Sequence, residues 1–136
     1  MLRRTRRGIF RYDLRCGGSL VTQTHVLTAA HCLFDEGLGR KLEDTQDLLV
    51  VLGSSNPLLT AEGIERTIAA FSHHPDYIYP QSYMDIAIAT LNETIPPEAF
   101  RNIRPICLPT KPSQNPGNCF CPQCSLIIVF IITNNL

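Results

Sequence analysis

Two side chains in this sequence have the chemistry and the setting for proton transfer, His31 and Asp85. His31 sits near the end of CGGSLVTQTHVLTAAHC, residues 16–32, where Cys16 and Cys32 bracket an apolar, β-branched segment. A neutral imidazole accepts a proton near neutral pH, which is what a general base must do. An isolated histidine is ordinarily a surface or core residue without chemistry, but a disulfide between these two cysteines would pin the ring at one end of a strand pair. Asp85 heads Asp-Ile-Ala-Ile-Ala-Thr-Leu, residues 85–91. An aspartate in that position is ordinarily a cap or turn residue. Metal chemistry is poorly supported. His73 and His74 are neighbours, and neighbours on an extended chain point to opposite sides. Cys119, Cys121 and Cys124 lack a clear fourth ligand. No metal and no cofactor are expected.

The elements that must hold these groups read as strands. Ser19 to Val21 and Val26 to Ala29 are short apolar runs around Thr22-Gln23-Thr24-His25, a hairpin signature. Gly17 and Gly18 leave room for a close neighbour or a bulge. Thr28-Ala29-Ala30-His31-Cys32 suits a strand giving way to one helical turn. Ile9 to Tyr12 reads as a short first strand, residues 33–47 as a polar loop, and Leu48 to Leu52 as a buried strand ending at Gly53. In Ile64 to Phe71, alternation puts Ile64, Arg66, Ile68 and Ala70 on one face and Glu65, Thr67, Ala69 and Phe71 on the other. Residues 86–91 form a buried strand, Ile86 and Ile88 alternating with alanines, with Asp85 at its entrance.

CGGSLVTQTHVLTAAHC resembles the histidine box of the chymotrypsin-like (trypsin-fold) serine endopeptidases, and Asp85 to Leu91 resembles their aspartate box. His74-Pro75-Asp76-Tyr77 is similar to the family's H-P-x-Y turn, and Ile103 to Pro109 to its linker between barrels. The resemblance implies an all-β fold: an antiparallel β-barrel over residues 9–110, the first of the family's two barrels, open or incompletely closed and with an exposed apolar face. It implies that His31 is the general base, that Asp85 orients the imidazole, and that Cys16 pairs with Cys32. It further implies a protein or peptide substrate, an extracellular location, and a tether through Cys107 to an upstream light chain or pro-segment. Glu62 and Glu65 fall where some relatives bind calcium, although exposed charge accounts for both.

The likeness stops near Pro109. From Lys111 onward there is no Gly-Asp-Ser-Gly-Gly string and no Gly-Trp-Gly type strand, so the second barrel, with its nucleophile, oxyanion donors and specificity pocket, is expected to be absent. The activated-cleavage Ile-Val-Gly-Gly pattern is missing as well. On this reading the sequence is the N-terminal half of a truncated protease domain, inactive alone. The rival reading is a non-catalytic homologue that binds or regulates proteases. Residues 111–136 read as an unrelated tail, whose run Leu126 to Ile132 is too short for a membrane helix and has the composition of an aggregation-prone strand.

Length, charge and cysteines bound the rest. The 136 residues suffice for one domain with a modest core. A formal net charge of zero gives no reason to expect nucleic acid or a membrane as partner. Arginines crowd residues 1–8 and continue at Arg11 and Arg15, which reads as a solvated basic edge. No apolar stretch of signal-peptide type follows them. Six cysteines nevertheless suit an oxidising compartment, so the sequence is expected to begin inside a longer secreted protein. Asn92-Glu93-Thr94 fits the N-glycosylation pattern.

Overall fold

The computed structural model describes residues 4–5, 8–9, 11–35, 40–41, 48–54, 63–101, 103–108 and 129–135. The strands are β1 (Arg4–Thr5), β2 (Gly8–Ile9), β3 (Arg11–Leu20), β4 (His25–Thr28), β5 (Phe34–Asp35), β6 (Arg40–Lys41), β7 (Leu48–Leu52), β8 (Ile64–His73), β9 (Ala87–Leu91) and β10 (Val129–Asn135). Six of them close into an antiparallel barrel in the order β10-β3-β4-β9-β8-β7. Among the described residues no helix is long and apolar enough to cross a membrane. All-β architecture was expected, and so was the β3–β4 hairpin, which pairs Ser19 with Leu27 and Leu20 with Val26.

Period-2 alternation fills the barrel, because successive side chains on a strand leave opposite faces. Leu48, Val50 and Leu52 of β7 enter the core together with Leu20, Val26 and Ile68. Gly18 is a point of close chain-to-chain approach. A methyl group there would stand 2.8 Å from Val26 Cγ1 and 2.9 Å from the Leu27 carbonyl oxygen. Gly53, at φ 75°, turns the chain out of β7.

Several expectations change. The barrel is closed, not open, because β10 pairs with β3 on one side and β7 on the other; residues 129–135, expected in an unrelated tail, thus belong to its sheet. In β9 the alanines face the core, Ala89 fully buried, while Ile86 and Ile88 stay 44% and 40% exposed. Ala87 and Ala89 share the core with Val26, Leu33 and Tyr77, and the branched side chains take the outer face. In β8 the pairing with β9 shifts between Ile68 and Ala70. That bulge reverses the alternation, and Phe71, not Ala70, packs against the core. Residues 34–35 and 40–41 of the expected loop form a short ladder, Phe34 with Lys41 and Asp35 with Arg40.

Gly18→Ala is expected to destabilise the fold by about 1–3 kcal/mol, since the Leu27 backbone cannot yield to the added methyl without moving β4. Urea unfolding followed by circular dichroism measures it, with Gly17→Ala as the milder control, where the nearest atom would be Val129 O at 3.7 Å.

Candidate functional site

His31 is placed by a single 3-10 turn, Ala30–Leu33, that follows β4 directly. Ala30, Cys32 and Leu33 are buried, so the turn is anchored through its neighbours and His31 is left facing outward. The disulfide Cys16–Cys32 fastens this turn to β3 with a Cα–Cα distance of 6.0 Å. Arg15 adds a second tie. Pairing between β10 and β3 steps from Ile131–Cys16 to Ile132–Leu14, which leaves Arg15 in a bulge. Its Nε donates to the Cys32 carbonyl at 2.6 Å, and its Nη2 donates to the Phe34 carbonyl. Arg15 is therefore not part of a solvated basic edge; it holds the backbone on either side of Leu33.

Asp85 is aimed by a tight turn. Met84 takes a left-handed φ of 53°, and the Ile86 amide donates to the Met84 carbonyl at 2.8 Å. The His74 amide donates to Ile86 O at 3.0 Å and ties the turn to the end of β8. From there the carboxylate accepts twice from one residue: Oδ1 from the His31 amide at 2.8 Å and Oδ2 from His31 Nδ1 at 2.7 Å. An ionised carboxylate can only accept, so in the neutral ring the proton sits on Nδ1 and Nε2 carries the lone pair.

Electrostatics support the ionised form. Burial pushes the Asp85 carboxyl up, but hydrogen bonds from the His31 ring and backbone, the His31 charge and the Ala30 amide together hold it below its ordinary 3.8. Beneath lies an aromatic group in which Phe34 stacks on Tyr79 at 5.2 Å and meets Tyr77 edge-on at 5.4 Å. Burial, then the Asp85 charge and Tyr79, push the Tyr77 phenol up from 10.0. The Tyr77 hydroxyl is buried and has no hydrogen-bond partner.

The working edge of the site is the far side of the imidazole. The His31 side chain is 52% exposed, and Nε2 stands 3.7 Å and 3.6 Å from the sulfurs of Cys16 and Cys32. These three side chains converge as metal ligands would, but both sulfurs are spent in a disulfide and offer no thiolate. No serine hydroxyl among the described residues contacts Nε2. Beside the site an apolar groove of about 230 Å³ runs between Leu27, Ser72, His74, Ile86 and Ile88.

The remaining candidates fall elsewhere. His73 donates from Nδ1 to the His74 carbonyl at 2.9 Å, and His74 Nδ1 accepts from the Asp76 amide at 3.1 Å, so each is engaged in its own turn. Cys107 is free and exposed, Asn92 is exposed, and Glu65 lies in β8. Glu62, Cys119, Cys121 and Cys124 lie outside the described residues. Sequence reasoning missed Arg15, Met84 and the Phe34 group. Only Arg15 left a trace, as a cation directly before a cysteine.

Comparison with known proteins adds family context. Residues 3–122 match the family model Trypsin. The proclotting enzyme of Tachypleus tridentatus is 37% identical over 101 residues, covering 71% of this chain and 26% of that protein. A venom protease of Bombus pensylvanicus is 36% identical over 106 residues, covering 78% of this chain and 40% of that protein. A trypsin of Phaedon cochleariae is 35% identical over 103 residues, 76% of this chain and 36% of that protein. The chain thus spans between 26% and 40% of the length of these relatives.

Two outcomes follow from the geometry. Because the folded Asp85 titrates below 3.8, its contribution is complete above that pH and is lost as pH falls through it toward the folded value. Asp85→Asn should cost about 1–3 kcal/mol at pH 7 and flatten that acid limb, read by denaturant unfolding at a series of pH values. Tyr77→Phe, which deletes an unpartnered buried hydroxyl, should be neutral or stabilise by up to about 1 kcal/mol in the same assay.

Proposed function

Since this chain belongs to the trypsin family of serine proteases, we propose that it carries the proton-handling half of a serine endopeptidase site. In this reading His31 is the general base and Asp85 its orienting carboxylate. The nucleophilic serine lies outside residues 1–136, which contain no Gly-Asp-Ser-Gly-Gly string. The observation that carries it is the double acceptance by Asp85, from the His31 amide and from Nδ1. That arrangement fixes both ring orientation and tautomer and leaves Nε2 basic and accessible.

The chemistry is acyl transfer from a peptide bond. As a serine oxygen attacks the carbonyl carbon, Nε2 takes the hydroxyl proton and the ring becomes an imidazolium, stabilised by the Asp85 carboxylate at Nδ1. The proton then passes from Nε2 to the leaving amine, and the acyl-enzyme is hydrolysed by the same steps with water as nucleophile. A base without its nucleophile and oxyanion donors loses several orders of magnitude in rate, so this chain alone is inactive. Its substrate class, once completed, is protein or peptide. The disulfide and the venom protease among its relatives support an extracellular site of action, and the exposed free Cys107 supports a tether to a segment upstream.

The test has two parts. Proton NMR should show a far-downfield His31 Nδ1–H resonance that disappears in Asp85→Asn. A fluorophosphonate probe, which marks activated serines, should leave the chain unlabelled, and fluorogenic peptide amides should remain intact. Labelling or amide cleavage that His31→Ala abolishes would overturn the assignment of the serine to another segment. Absence of the downfield proton would overturn the role of Asp85.

A further inference from the structure

We propose that the slot between β3 and β7 is a strand-binding site, and that residues 129–135 occupy it as an intramolecular ligand. Its ligand class is an extended, uncharged segment with branched apolar side chains at alternate positions. The first observation is topological. β10 is the one barrel strand outside the region matched by the family, residues 3–122, whereas both walls of the slot lie inside it.

The second observation is the character of the contact. β10 is antiparallel to both neighbours, with residue pairs running from Val129–Gly18 to Asn135–Arg11 on β3 and from Val129–Leu52 to Thr133–Leu48 on β7. Main-chain ladders of this kind bind any strand that can adopt the register, and side-chain pockets then select. The pockets here are apolar. Val129 and Ile131 are fully buried, opposite the equally buried Leu52 and Val50. Nothing charged lies in Ser125-Leu126-Ile127-Ile128-Val129-Phe130-Ile131-Ile132, which suits such a seat.

An empty slot would leave two sheet edges unpaired, which is costly and attracts other strands. The site therefore binds in trans whenever its own strand is displaced. This inference is independent of the protease chemistry, since no residue of the His31–Asp85 pair takes part in it.

The test uses the full chain carrying Ile131→Asp and a fluorescein-labelled synthetic peptide with the sequence of residues 127–136, IIVFIITNNL. The peptide should bind the variant saturably, at least about tenfold more tightly than it binds the unaltered chain, where a tethered strand competes at high effective concentration. A peptide carrying Ile131→Pro should not bind, because proline cannot serve in a strand paired on both sides. If the variant does not fold alone, refolding in the presence of the peptide should yield folded protein by circular dichroism. Equal affinity for the two chains, binding of the proline peptide, or no gain on refolding overturns the proposal. So does hydrogen exchange in the unaltered chain that leaves residues 129–135 unprotected while β3 and β7 stay protected.

Discussion

The register between β4 and β9 is the constraint on which the site depends. Thr28 pairs with Ala87, so the end of one strand lies beside the start of the other. His31 follows Thr28 by one short turn and Asp85 precedes Ala87 by one tight turn, which delivers both to the same end of the barrel. A slip of one residue would turn every side chain of β9 to the other face. Ala87, Ala89 and Leu91 would leave the core, and Ile86 and Ile88, too large for the space they vacate, would have to enter. Core packing, which is selected for stability, thereby sets the geometry of the His31–Asp85 pair.

Around that register the structure adds ties that act on backbone as well as on rings. The disulfide joins the turn to β3, Arg15 grips the carbonyls of Cys32 and Phe34, and Asp85 holds the His31 amide along with its imidazole. Each of these fixes main-chain atoms that His31 cannot move without breaking. The histidine ring then needs little ordering of its own, and the entropy that a half-exposed side chain would otherwise lose on being positioned has already been met by its surroundings.

Much of this was legible in the residues, and the reasons differ from place to place. The β3–β4 hairpin announces itself by two apolar runs around a polar turn, and the strand Leu48 to Leu52 by its unbroken apolar character; both signals are local. The pairing of Asp85 with His31 was legible only through likeness to a family, because nothing in the sequence near either residue reports a contact across 54 positions. What stayed hidden is what depends on tertiary context. The bulge at Ala69 reverses a face that simple alternation had assigned, and the outward turn of Ile86 and Ile88 goes with a register that sends Ala87 and Ala89 inward, not with their own hydrophobicity. Arg15 looked like one of several exposed cations because a bulge that re-aims a side chain has no sequence signature here.

The position of β10 has one more consequence, in time instead of space. It pairs Val129 with Gly18, so the strands that border it are made long before their partner. During synthesis the edges of β3 and β7 must wait, with open amides and carbonyls, while the intervening residues are translated. A ribosome-borne chain of this kind has a window in which neighbouring nascent chains or chaperones compete for the vacancy. Translation speed through the connecting segment should therefore influence how many molecules reach the closed barrel.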